Sequence, residues 1–243
     1  MIALLLALAA LVSPQPAREA PARTSAAGGA VVVARPRVTR RFIPLTQQRR
    51  RDTAAYARRH YGLDTTTVTP HVIVEHWTQT DSVDATYYIF APNVPDAELH
   101  ERPGTCSQFV IARSGRIFQL TPVTFLCRHT VGLNWAAIGI EHVGFSDGEV
   151  LGNRAQMDAS LRLTRWLRCT YEIPVRDVIG HAESLSSPFH RERVASLRQQ
   201  THDDFQPTAM NRYRERLRAA GDCPRPPARL RGTQAAPGRT GPS

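Results

Sequence analysis

The stretch Ala136-Ala137-Ile138-Gly139-Ile140-Glu141-His142-Val143-Gly144-Phe145, AAIGIEHVGF, is a short apolar run that carries one carboxylate. A run of this length reads as a strand buried in a sheet. Alternation puts Gly139 and Glu141 on one face and Ile138, Ile140 and His142 on the other. Glu141 therefore emerges from an apolar strand beside a residue with no side chain, which leaves room for another group to approach. His142, on the opposite face, reads as a packing residue.

Working outward, His71–Trp77 (HVIVEHW) is a second short β-rich run, with Val72, Val74 and His76 on one face and Ile73 and Glu75 on the other. Ser107–Pro122 (SQFVIARSGRIFQLTP) sets two apolar runs around Arg113-Ser114-Gly115-Arg116, a hairpin signal in which Gly115 can take positive φ. Arg176–Glu183 (RDVIGHAE) returns to strand character. Helical signals cover Thr46 to His60, with Gly62 as a cap, then Asn153 to Tyr171 and Pro207 to Ala220. In the second of these, Met157, Leu161, Leu163, Trp166, Leu167 and Cys169 recur close to helical spacing. Strands broken by long helices, plus one hairpin, predict an α/β fold: a single domain with a central mixed β-sheet flanked by helices.

The chain has 243 residues, 42% of them hydrophobic, enough for one sizeable domain with tails and too apolar for global disorder. Residues 1–14 hold an apolar run, Ile2 to Val12, too short to span a bilayer, and read as the core of a secretory signal, although the usual preceding basic residues are missing. An Ala/Pro/Gly-rich linker is expected over 15–38, the folded domain over 39–222 and a Pro/Arg/Gly-rich tail over 223–243. Export would let the four cysteines oxidise, and the expected pairs are Cys106 with Cys127 and Cys169 with Cys223. No Cys-x-x-Cys pair is present, which argues against a structural zinc knot.

The net charge of +10 comes from the flanks: residues 1–70 carry +8 and 211–243 carry +6, while 71–210 carry −4. Arg-rich flanks can hold a protein on anionic wall polymers. The mildly acidic middle lacks a basic surface interleaved with aromatics, so no nucleic-acid partner is expected, and the chain is expected to be a monomer. There is no lysine; every basic side chain other than histidine is arginine.

Of nine histidines, two stand out by position. His76 lies at the end of one buried strand and His181 near the end of another, where a rigid platform can hold a ligand or catalyst. Two such imidazoles and a loop carboxylate would make a three-ligand zinc site with an open fourth position, the catalytic arrangement. Thr201-His202-Asp203-Asp204-Phe205 could supply the carboxylate.

Together these segments resemble the type 2 N-acetylmuramoyl-L-alanine amidase family, which is related to the peptidoglycan recognition proteins. The resemblance lies in four motifs in order: VIVEHWTQT (72–80), CSQFVIARSGRIFQLTP (106–122), CRHTVGLNWAAIGIEHVG (127–144), the most specific, and VIGHAES (178–184). It spans roughly residues 40–222 and implies an amidase and peptidoglycan recognition protein-like fold. It further implies Zn²⁺ as cofactor, His76 and His181 as ligands, and peptidoglycan or muropeptide as substrate. In that family the third ligand is an Asp or Cys, commonly in a lysine–any–aspartate run. Here His202 fits the lysine place and Asp204 the ligand, with His202 and Asp203 as alternatives. The segment SLSSPFHRERVASLRQQ (184–200) lengthens the spacing after His181 and resembles the secreted actinobacterial-type branch. Some relatives carry a catalytic Tyr before the hairpin turn; Ser107 stands at the nearest place here, which leaves the base role to Glu141.

The implied reaction is hydrolysis of the amide between N-acetylmuramic acid and L-alanine. Glu141 would accept the water proton and His202 would stabilise the oxyanion. An imidazole loses its proton roughly four pH units below a lysine ammonium, so a catalytic His202 predicts falling activity above neutral pH. His129 and Asn134 are expected to line the substrate groove or, equally, to cap their loop. The main rival is a non-catalytic peptidoglycan-binding protein of the same fold. A His-Glu-x-x-His metalloprotease is excluded, since no such run exists. A Cys127–His129 nucleophile and a polyanion-binding protein driven by its flanks are further rivals.

Overall fold

The computed structural model describes residues 33–224. The signal-like segment 1–14, most of the linker and most of the tail fall outside these residues. Six strands form one sheet: β1 (Val38–Arg40), β2 (Val72–Trp77), β3 (Phe109–Ile111), β4 (Ile117–Gln119), β5 (Ala137–His142) and β6 (Val178–Gly180). Their spatial order is β1-β4-β3-β5-β2-β6. Only β3 and β4, the expected hairpin, pair antiparallel; all other neighbours are parallel. Gly115 closes the hairpin at φ +79°, in the left-handed region open to glycine.

Among the described residues the α-helices are α1 (Gln47–Tyr61), α2 (Val83–Phe90), α3 (Asp147–Gly152), α4 (Arg154–Thr170) and α5 (Pro207–Ala219). Thr46 caps α1 by accepting from Arg49 N, and Gly62 ends it in left-handed conformation. The sequence signals miss β1, α2 and α3. β1 is three residues long and adds to the sheet edge beside β4. It begins at Val38, so the sheet starts one residue inside the expected linker. α2 is short, but Ser82 caps its start, and Arg49, buried in α1, donates to the carbonyls of Phe90, Ala91 and Pro92 at its end.

Alternation divides the core. Ile73, Phe109, Ile111, Ile138 and Ile140 pack against Met157, Leu163 and Leu167 of α4 and Met210, Tyr213 and Leu217 of α5. On the other sheet face Val110 and Phe118 meet Ile43, Val83 and Phe90, while Val72, Val74 and Ala137 meet Leu133 and Ile179. Each such fully buried aliphatic or aromatic side chain contributes about 1.5–3 kcal/mol. This two-sided burial explains why β2 and β5 read as unbroken apolar runs.

Disulfides join Cys106 to Cys127, beneath the hairpin, and Cys169 of α4 to Cys223, just beyond α5. Among the described residues no helix is long and apolar enough to cross a membrane. The 184–200 insertion docks on the end of α1 and on the loop before β5. Arg193 N donates to His60 O at 3.0 Å, Arg191 N to Gly132 O at 2.9 Å, and Trp135 Nε1 to Phe189 O at 3.2 Å. The buried His60 Nδ1 also pairs with Glu192 at 2.9 Å.

Candidate metal centre and active site

The β2–β5 register sets the site. His76 stands directly opposite Glu141, and in-register neighbours on adjacent strands project from the same sheet face. β6 lies on the other side of β2, and His181 follows its last residue. The sequence placed His181 on a strand. Instead it opens a 3-10 turn over His181–Ser186, so it is held by the turn as well as by the sheet.

Asp204 brings the two imidazoles together. Its Oδ2 lies 2.8 Å from His76 Nδ1 and its Oδ1 3.2 Å from His181 Nδ1. All three side chains are buried, and one ligand atom from each falls within 4.8 Å of the others. Asp203, in contrast, is exposed, and both its carbonyl and its Oδ1 accept from Gln206 Nε2. His202 stands at the rim with its ring 4.8 Å from that of His181, and its Nε2 lies 3.1 Å from Glu98 Oε2.

Two glycines make the approach possible. A Cβ on Gly180 would lie 1.9 Å from the carbonyl oxygen of Phe205, so only glycine lets the Asp204 loop close on β6. A Cβ on Gly139 would come within 2.8 Å of the His129 ring. The group that uses the space beside Glu141 is thus the His129 imidazole. Its Nδ1 lies 3.1 Å from His76 Nε2 and 2.9 Å from Thr130 Oγ1. Asn134 is fully buried and spends its amide on the protein. Its Oδ1 accepts from His129 N and Thr130 N at 2.9 and 2.7 Å, and its Nδ2 donates to Tyr56 OH at 3.0 Å. These bonds cap the loop, and Asn134 is also among the residues that line the groove over the site.

The electrostatics follow from burial and close pairing. Burial, opposed by His76 and reinforced by Asp204, raises Glu141 to about 7. For His76 burial works against protonation, but Asp204, Glu141 and Glu75 outweigh it and its pKa is raised. His181 falls to about 4, chiefly by burial, against its hydrogen bond to Asp204. Burial would raise Asp204 as well, yet the two histidines hold it below the usual carboxylate range. Burial, His76 and His181 likewise keep His129 neutral.

His142 packs as the sequence suggested. Its Nδ1 lies 2.8 Å from the His76 carbonyl oxygen and its Nε2 2.8 Å from Ser160 Oγ. Ser107, in the place some relatives give to a tyrosine, donates to Phe109 O and is fully buried.

A groove of about 340 Å³ opens over these groups, with Ile89, Phe90 and Leu99 among its apolar lining and His76, Glu141, His181 and Asp204 among its polar lining. The donor set fits a zinc ion. It consists of two imidazoles and one carboxylate, and it faces a groove rather than a closed shell. His181 Nε2 is a buried nitrogen without a partner among the described residues, and His76 Nε2 has Thr130 Oγ1 at 3.3 Å to fix its ring.

Two residues important to this arrangement have no signal in the sequence. Phe205 takes φ +55°, unusual for a non-glycine, and its ring is fully buried against α5. Asp147 accepts hydrogen bonds from the segment that follows Asp204.

The family profile described as N-acetylmuramoyl-L-alanine amidase matches residues 64–204. No curated protein sequence matches the chain. Among solved structures, the endolysin N-acetylmuramoyl-L-alanine amidase LysCS from Clostridium intestinale is 19% identical with a TM-score of 0.45, covering 77% of this chain and 97% of that one. The amidase AmiD from E. coli, solved with anhydro-N-acetylmuramic acid-L-Ala-D-γ-Glu-L-Lys, is 22% identical with a TM-score of 0.37, covering 50% and 51%. The profile match takes in more than half of the chain and runs from the approach to β2 through Asp204, and on that ground the chain belongs to the N-acetylmuramoyl-L-alanine amidase family.

Proposed function

We propose that this protein is a zinc-dependent N-acetylmuramoyl-L-alanine amidase, which hydrolyses the amide between N-acetylmuramic acid and L-alanine in peptidoglycan or muropeptides. The observation that carries the reading is the Asp204 carboxylate facing the Nδ1 atoms of both His76 and His181 on the floor of a groove that Glu141 also lines. His76, His181 and Asp204 would hold the ion. When bound, zinc polarises a carbonyl and acidifies water.

The chain's own groups supply the rest. Glu141, raised to about 7 in the metal-free chain and lowered from there by a nearby cation, would take the proton of the attacking water at neutral pH and pass it to the departing L-alanine amine. His202, whose ring lies beside that of His181, would donate to the oxygen that gains negative charge during attack. Glu98, with Oε2 at 3.1 Å from its Nε2, anchors the ring there. His129 lines the groove and abuts His76, where it supports the ligand and borders bound glycopeptide.

Two disulfides within the described residues support an oxidising, extracellular location. The Arg-rich flanks would add attraction to anionic wall polymers.

Incubating the purified chain with defined muropeptides, with and without a chelator, tests the proposal by mass spectrometry. Release of a stem peptide with a free L-alanine amine, abolished by the chelator, is the expected result. Retention of intact muropeptide on the protein without cleavage would favour the non-catalytic wall-binding alternative.

A further inference from the structure

Asp204 can face both histidines only if the three residues Asp204-Phe205-Gln206 hold an unusual path. Phe205 is left-handed, a conformation that costs a non-glycine residue about 1–2 kcal/mol. The next helix, α5, begins without a side-chain cap. Something else must therefore satisfy the backbone N–H groups at this corner.

That partner is a single carboxylate. Asp147 Oδ1 accepts from Phe205 N at 2.8 Å, and its Oδ2 accepts from Gln206 N at 2.9 Å. The same Oδ1 accepts from Trp77 Nε1 at 2.9 Å. Trp77 directly follows His76, and Phe205 directly follows Asp204. Asp147 is not needed to cap its own helix, because Ser146 Oγ accepts from Glu149 N there. One side chain of α3 thus joins the chain segments that carry two of the three ligands, segments 128 residues apart in sequence.

We propose that Asp147 is a positioning residue for the metal centre: by clamping the residues after His76 and Asp204 it sets the separation of those two ligands. The inference rests on the zinc reading above and adds to it a residue that touches neither ion nor substrate. Charge-assisted bonds to backbone N–H groups are about twice as strong as neutral ones, which suits a carboxylate to holding a disfavoured corner. The paired distances also explain why an amide is a poor replacement. Asn offers one acceptor oxygen where the corner and the indole together use two.

The test compares zinc affinity, by competition with a chromogenic chelator, against the thermal midpoint of the metal-free full-length chain. The variants are Asp147→Ala, Asp147→Asn and the control Glu149→Ala. Glu149 sits on the same short helix but serves Phe145 N and Arg113. Asp147→Ala is expected to weaken zinc binding by about 10–100-fold, the usual cost of losing support behind a ligand. Asp147→Asn should fall between it and the wild type, and Glu149→Ala should stay within about twofold of the wild type while still lowering the midpoint. The Co²⁺-substituted Asp147→Asn chain should show an altered visible spectrum.

Zinc affinity within about twofold of wild type for both Asp147 variants would overturn the proposal. So would an equal loss in Glu149→Ala at a matched fall in midpoint, which would show a merely structural role. If Asp147→Ala does not fold, the isosteric Asn variant decides between these outcomes. A wild-type chain that takes up no zinc would overturn the amidase reading itself and this inference with it, whereas tight wild-type binding with unaffected variants overturns only this inference.

Discussion

At the scale of single residues, Glu141 combines a burial-raised pKa with a place opposite His76. Replacing it by Gln keeps the shape and removes the base, so hydrolysis should drop by on the order of 10²–10⁴-fold with zinc retained, as metal analysis would show. The sign of its pH dependence follows from the shift. A carboxyl raised to about 7 is protonated and inactive as a base at acid pH, and becomes competent as pH rises through that value. In the metal-free chain its ¹³C carboxyl resonance should titrate near 7 and move to lower pH on zinc loading, since a nearby cation favours the anion. A carboxyl already ionised at pH 5 without metal would contradict this. Much at this scale is legible in the sequence. Strand alternation alone separates Glu141 from His142, and the Gly139 gap is visible without its occupant. The choice among His202, Asp203 and Asp204 is not, because which of three adjacent polar residues turns toward His76 and His181 depends on the path of the loop.

At the scale of elements, the site is a matter of register. Parallel pairing of β2 with β5 and β6 puts His76 between the strand of Glu141 and the strand that leads into His181. The sequence shows these strands because burial on both faces leaves an unbroken apolar run. It hides α2, whose ends are fixed by Ser82 and by the distant Arg49, and it hides the clamp from Asp147, since both depend on contacts across many residues. The close approach of the Asp204 loop to β6 leads to a further prediction. Gly180→Ala places a Cβ against the Phe205 carbonyl, which must move. Zinc affinity should fall by about tenfold or more, and unchanged affinity would show that the loop can shift without disturbing its ligand.

At the scale of the whole molecule, the sheet core and two disulfides provide a rigid frame for a groove of mixed polar and apolar lining. The Cys169–Cys223 bridge spans 54 residues and ties α4 to the exit of α5. Replacing both cysteines with Ala should cost about 3–5 kcal/mol in denaturant unfolding, and a loss below about 1 kcal/mol would mean that the core holds α5 without it. Six of the 31 arginines and none of the site residues lie outside residues 33–224, so a chain trimmed to those residues should keep its activity on soluble muropeptides. The central claim is that His76, His181 and Asp204 hold one catalytic ion. Titrating zinc into chelator-stripped protein while following cleavage of a muropeptide tests it most directly. Activity should be absent without metal, return fully at one equivalent per chain, and fail to return in Asp204→Ala; cleavage that persists in the stripped protein, or that zinc restores equally in Asp204→Ala, would contradict the account.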